Sequence, residues 1–272
     1  MRVRIALGAV TMVALSAFVA TGFGAATGIA TAAPGNNYTC SGGDLASGNF
    51  TSIPSGNYAS ITVTGVCNTV PGAVINVTGN INVAPGAVLD AQSVTSTITV
   101  GHNITAGSGS LLGLGCQPTN AIGRFAGVPC LDNPNGRTII TVNGNITAGD
   151  ADTVLIRKVT VSGNVSLGGG GGEIPWSIKG NTIGGNLTIS NVAADWLGVQ
   201  FNAIGRNATL TNITALDPGD PGRTVAVVEN TVQNNLICRG LAPGVSPGFI
   251  PGEVNHVGHN ALGQCAAISE KL

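Results

Sequence analysis

Two aspartates separated by one alanine, Asp150-Ala151-Asp152, have the spacing best suited to carboxylate chemistry in this chain. Such a pair can hold a divalent cation through oxygen ligands, or act as acid and base on a glycosidic bond. The same residues, following Gly149, also suit a polar turn between strands, and that reading takes precedence. Trp176 with Glu173, and Trp196 with Asp195, suggest a second chemistry. A flat apolar ring beside a hydrogen-bond acceptor is what a sugar-binding groove uses. The competing expectation, which carries more weight, is that each indole packs against the body of the protein. His256 and His259 are three residues apart but have no acidic partner in sequence, and no C-x2-C or His/Cys cluster has ligand spacing, so no metal site is expected. Asp217 and Asp220 lie in Asp-Pro-Gly-Asp-Pro-Gly, which is turn chemistry. Arg157-Lys158 reads as a solvated strand surface. The glycines Gly168 to Gly172 are not a phosphate loop, because no Gly-Lys-Ser/Thr follows. No cofactor is expected.

Whatever these residues do, a repeat must position them. Asn80, Asn103, Asn145, Asn164, Asn186, Asn207, Asn235 and Asn260 each follow a β-branched residue by three positions: Val77, Val100, Val142, Val161, Ile183, Ile204, Val232 and Val257. After each Asn comes an alternation such as Leu187-Thr188-Ile189, with one face apolar and the other polar. Self-similarity at roughly 20–28 residues marks a solenoid whose repeats bury their apolar faces by stacking. The expected fold is an all-β, single-stranded parallel β-helix, with the asparagines laddered at one corner. A β-sandwich would need hairpin signals and would not keep one Asn in register so often. His102 and His259 occupy the slot before an anchor Asn and should be exposed corner residues. The Asn-x-Thr/Ser triplets, such as Asn103-Ile104-Thr105, fall out of the strand pattern and read as structure rather than glycosylation sites.

The step from Asn103 to Asn145 is about double the others. The expectation is one coil carrying a stapled loop over residues 107–136. Further insertions, Gly149–Asp152, Gly168–Trp176, Ser190–Gly198, Ala215–Arg223 and Arg239–Gly252, open after the last apolar residue of a repeat. They should project from one side.

Residues 1–32 read as a signal peptide: Arg2 and Arg4, an apolar run from Ile5 to Ala20, and Ala30-Thr31-Ala32 as the cleavage site. Residues 33–76 are then an N-terminal capping region with the first coils, 77–265 the β-helix, and 266–272 a C-terminal tail. No later stretch approaches the length of a transmembrane span. The cysteines are even in number and all lie after the signal, which fits disulfides in an exported protein. Many pairings are possible, and neighbours in sequence are favoured: Cys40–Cys67, Cys116–Cys130 and Cys238–Cys265. The first and last pairs would staple the ends of the coil. Only 8% of the residues are charged and the formal net charge is −1, so nucleic acid and anionic lipid are not expected partners.

The stretch Asn181-Thr182-Ile183-Gly184-Gly185-Asn186-Leu187 recurs as Asn230-Thr231-Val232-Gln233-Asn234-Asn235-Leu236-Ile237-Cys238. The chain then closes on Asn255 to Cys265, ending Asn260-Ala261-Leu262-Gly263-Gln264-Cys265. This resembles the GNTVGGNLxC…GQC ending of a group of secreted actinobacterial proteins, with Gln233-Asn234 in place of the usual two glycines. More broadly the chain resembles pectin-lyase-like right-handed β-helices. The first resemblance implies secretion and brings no established activity. The second implies architecture, and fold alone supplies no catalytic set.

Two functions follow as expectations. The first is a non-enzymatic exported scaffold or adhesin-like surface for a glycan or cell-envelope component, located outside the cell or on its surface. The alternative is a polysaccharide lyase or glycoside hydrolase with its site on the loop edge, drawn from Trp176, Trp196, Asp150, Asp152, Asp195 and Glu173.

Overall fold

The computed structural model describes residues 32–119, 128–217 and 224–272. The segment expected as a signal peptide therefore lies almost wholly outside the described residues, as does Asp220. Every pairing between named strands is parallel, and the chain winds as a β-helix with three strands to a coil. The first sheet stacks strands such as Ala73–Val77, Ser96–Val100 and Thr138–Val142. The second sheet follows each Asn corner and includes Ile104–Ala106, Ile146–Gly149, Leu187–Ala194 and Ala208–Ala215. The third has nine strands, among them Leu111–Leu114, Thr153–Arg157, Trp176–Lys179 and Val225–Val228.

In the first two sheets side chains alternate. Val, Ile, Leu and Ala point into one continuous core, and Thr, Ser and Asn point outward. The third sheet alternates at Val66–Thr69 but loses the pattern from Val88–Ala91 onward. In Val88–Ala91, Leu197–Gln200 and Val225–Val228 every residue is buried, because connecting segments lie on the outer face. Trp196 lies over Gly198, and the Gly248 turn approaches Ala226.

The anchor asparagines are 19 to 28 residues apart, except for the 42-residue step. Asn145 hydrogen-bonds Asn103 directly across that step, so the long interval is one coil with an insertion. The insertion is placed differently from the sequence expectation. Leu111–Leu114 belongs to the third sheet, paired with Val88–Ala91, so the insertion opens after a third-sheet strand, and the chain rejoins the first sheet at Thr138. Cys116 and Cys130 close it, and Asp132 accepts hydrogen bonds from the backbone N–H and hydroxyl of Thr95. Similarly, Ser190 to Ala194 continue a second-sheet strand rather than opening a loop. The bend in that strand falls on Asn191, which aligns with Asp150, Gly169, Asn212 and Gly240, and all five have positive φ. Asn, Asp and Gly are the residues that tolerate this left-handed conformation.

Three disulfides join Cys40–Cys67, Cys116–Cys130 and Cys238–Cys265, with Cα separations of 6.4, 5.1 and 5.4 Å. The first joins two strands near one end, and the third ties a strand near the other end to the turn that follows it. The segment expected as a tail instead adds structure. Gln264–Ile268 forms a 3-10 turn, and Ser269–Lys271 pairs with Asn255–Val257, where His256 Nδ1 lies 3.0 Å from Glu270 Oε1. The Gln264 amide takes the place of a missing next coil: Leu241 N–H donates to its Oε1 at 2.8 Å, and its Nε2 donates to Leu241 O at 2.7 Å. Gln264→Ala should leave both backbone groups of the buried Leu241 unpaired. The expected cost is about 1–2 kcal/mol, read by hydrogen exchange as faster opening confined to the Leu241 amide and its neighbours.

Candidate functional site

The expected Asn ladder is present at the corner between the first and second sheets. From Asn103 to Asn260, each asparagine donates its backbone N–H and its Nδ2 to the Oδ1 of the asparagine one coil earlier, at 2.8–3.3 Å. These side chains are half-buried for most of the column, and Asn260 is exposed. His102 and His259 are exposed beside it, as their slot implies.

A second ladder escaped the sequence reading. Asn181, Asn202, Asn230 and Asn255 form a column inside the protein, each no more than 1% exposed. Here the donors run the other way. Asn181 N–H and Nδ2 donate to Asn202 Oδ1, Asn202 to Asn230, and Asn230 to Asn255. The second Nδ2 hydrogen reaches a backbone carbonyl: Ile156, Ile178, Val199 or Val227. The cause is a sharper corner. The first-sheet strands shorten from five residues in Thr138–Val142 to two in Thr182–Ile183 and Ala203–Ile204. A single positive-φ residue, Lys158, Gly180, Phe201 or Glu229, joins the third sheet to the first in these coils. Backbone N–H groups at the shortened end lose their ladder partners, and an asparagine side chain supplies them. The signal was in the sequence as an Asn five residues before each of the last four anchors.

The six groove candidates do not come together as one site. Trp176 meets the packing expectation and not the groove one: it is 0% exposed, the largest fully buried side chain, and its indole N–H donates to Asp152 O at 3.1 Å. Its Gly-rich approach resembles a loop, yet Trp176 itself opens a third-sheet strand whose outer and inner faces are both covered. Trp196 is half-buried, with its ring against Gly198. Asp152 and Glu173 share a shallow depression of about 370 Å³ with Thr153, Gly171, Gly172 and Ile174. Asp195 is one coil further along, its N–H donating to Gly172 O. Asp150 stands apart on the left-handed bend, exposed. Among the described residues, no group of three or more His, Cys, Asp or Glu side chains is arranged to hold a metal ion.

Arg157 departs from its expected solvated setting. It is half-buried, its guanidinium donating to Gln92 Oε1 at 2.7 Å and to Ser177 Oγ at 3.4 Å. Burial pushes its pKa down to about 10. Lys179, its partner across the strands, is also lowered, first by burial and then by Arg157, and sits 5.8 Å from the centre of the Phe201 ring. Lys158 remains exposed.

A second groove lies alongside the outer ladder. Asn164, Asn186 and Asn207 line it together with Ser166, Thr188 and Thr209, the column next to them, with Ile237 at one end; the groove holds about 390 Å³ and has no charged lining residue. It belongs to a longer outward column on the second sheet, Thr105, Thr147, Ser166, Thr188 and Thr209, kept in register by the strand pairing. A matching column, Thr99, Thr141, Thr160 and Thr182, flanks the other side of the corner.

Among the described residues, no helix is long and apolar enough to cross a membrane. The chain matches no family model, no curated protein and no solved structure.

Proposed function

We propose that this chain is an exported, non-enzymatic β-helix that presents a rigid binding surface outside the cell or at its envelope. The supporting observation is an uninterrupted uncharged column on the second sheet, set against candidates of which Trp176 is buried and Asp150 lies outside the depression that Asp152 and Glu173 share. Export is supported by the leader-like residues 1–32 and by three disulfides, which persist in oxidising compartments. The likeness of the ending to secreted actinobacterial proteins points the same way. The partner in this reading is a glycan or another envelope component.

One observation favours a second reading, polysaccharide cleavage: Asp152 and Glu173 share a depression. Incubating the disulfide-bonded protein with a polyuronide and neutral-glycan panel, with and without calcium, separates the two. The scaffold reading expects retention on an envelope fraction and no new chain ends. Turnover abolished by Asp152→Ala or Glu173→Gln would replace it with the enzymatic reading.

A further inference from the structure

The two ladders use their amides differently. In the inner column both Nδ2 hydrogens are taken, one by the next asparagine and one by a backbone carbonyl. In the outer column the Nδ2 of Asn164, Asn186 and Asn207 each donates once, to the preceding Oδ1 at 3.1–3.2 Å. Its second hydrogen has no protein acceptor among the described residues. The hydroxyls of Ser166, Thr188 and Thr209, in the column next to them, likewise make no hydrogen bond to protein among the described residues. Each coil therefore offers one unused N–H donor and one unused hydroxyl, repeated at the strand spacing of about 4.8 Å.

From this pattern we propose that the groove lined by Asn164, Asn186, Asn207, Ser166, Thr188 and Thr209 binds an uncharged, unbranched β-1,4-linked glycan laid along the coil axis. The inference rests on the scaffold reading and names its ligand. Three features of the groove select that ligand. First, its donors recur along a line, so the partner must be a polymer with acceptors at a matching interval. Two coils span about 9.5 Å, close to one disaccharide unit of an extended two-fold β-1,4 chain, whose ring and hydroxyl oxygens are acceptors. Second, no lining residue is charged. A polyuronide would bring carboxylates into a groove with no cation to meet them, losing their hydration without compensation. Third, the groove is shallow and has no aromatic platform, so binding depends on repeated hydrogen bonds and should grow with chain length.

The test is calorimetric titration of the intact disulfide-bonded protein with β-1,4-gluco-oligosaccharides of increasing length, and with oligogalacturonates. Affinity should rise with gluco-oligosaccharide length and then level off once the groove is filled, with no binding of oligogalacturonate. Thr188→Val and Thr209→Val keep strand propensity and shape but remove the hydroxyl; each should weaken binding about tenfold. Thr141→Val, on the other side of the corner, should leave binding unchanged. Side-chain amide resonances of Asn186 and Asn207 should shift on titration. Failure to bind any gluco-oligosaccharide, equal binding of oligogalacturonate, or full affinity in the Thr188→Val/Thr209→Val double variant would overturn the assignment. Envelope retention that survives the double variant would remove this groove while sparing the scaffold reading. Loss of retention in the unmodified protein would end both.

Discussion

Asn202→Ala should destabilise the protein by about 3–5 kcal/mol, while Asn186→Ala should cost about 1 kcal/mol. The two residues have the same chemistry and equivalent ladder roles, so the contrast isolates burial. Removing the Asn202 side chain strands Asn181 N–H and one Nδ2 hydrogen, halves the donors reaching Asn230 Oδ1, and leaves Ile178 O without its partner. All of this happens at a site 1% exposed, where solvent does not readily replace the lost bonds. Removing Asn186 deprives Asn207 of an acceptor in the same way, but on a half-exposed corner where water supplies another. Denaturant unfolding of both variants measures the difference directly. Equal losses would mean that the inner column is hydrated, contrary to its packing. Asn202→Leu should do no better than alanine. The corner's backbone N–H groups need an acceptor there, and an aliphatic side chain offers none.

Trp176→Ala should be similarly severe, at about 3–5 kcal/mol, through loss of the largest buried side chain in the core. The indole also ties the third sheet to the preceding coil through Asp152 O. Trp176→Phe should recover much of the packing but not that hydrogen bond, for a cost of about 1–2 kcal/mol. Measured against the proposed glycan binding, the effect separates two roles. A sugar platform would lose affinity with little change in the unfolding midpoint. Here the midpoint should fall, and glycan affinity measured well below it should not change.

These cases show what was legible in the residues and what was hidden. The outer ladder was readable because Asn80 through Asn260 keep a fixed distance from a β-branched neighbour, and that neighbour is a core residue in every coil. The neighbouring-cysteine pairings were readable for a related reason: near each end, cysteines one coil apart lie within bridging distance. The third sheet was hard to see. Strands such as Val225–Val228 are buried on both faces, so they lack alternation and merge with the loops around them. That is why Leu111–Leu114 reads in the sequence as part of an insertion, and why Trp176 falls at the edge of a segment that reads as a loop. The inner ladder occupies only the C-terminal coils. Its column is aliphatic below them: Ile75, Ile98 and Ile140 are in register, and Val159 N–H donates to Asn181 Oδ1 at the changeover. No single residue type marks that column from end to end, so it gave no repeat. For the candidate acids the polar-turn reading takes precedence in the sequence, and the backbone at Asp150 agrees with it. Asp150 and Asp152 are neighbours in sequence, but a left-handed bend at Asp150 separates their surroundings.

The opposed directions of the two amide columns have an electrical consequence. A row of aligned amides acts like the backbone of a helix, with partial positive charge at its N–H end and partial negative charge at its C=O end. The outer row points its N–H groups toward the start of the chain, and the inner row points them toward the end. In the C-terminal coils the rows run side by side, so their moments oppose and that tip of the rod carries little net polarity. The coils before Asn181 have the outer row alone. The rod is therefore polarised along one half and nearly neutral along the other, an asymmetry set by amide orientation and independent of its few ionised side chains.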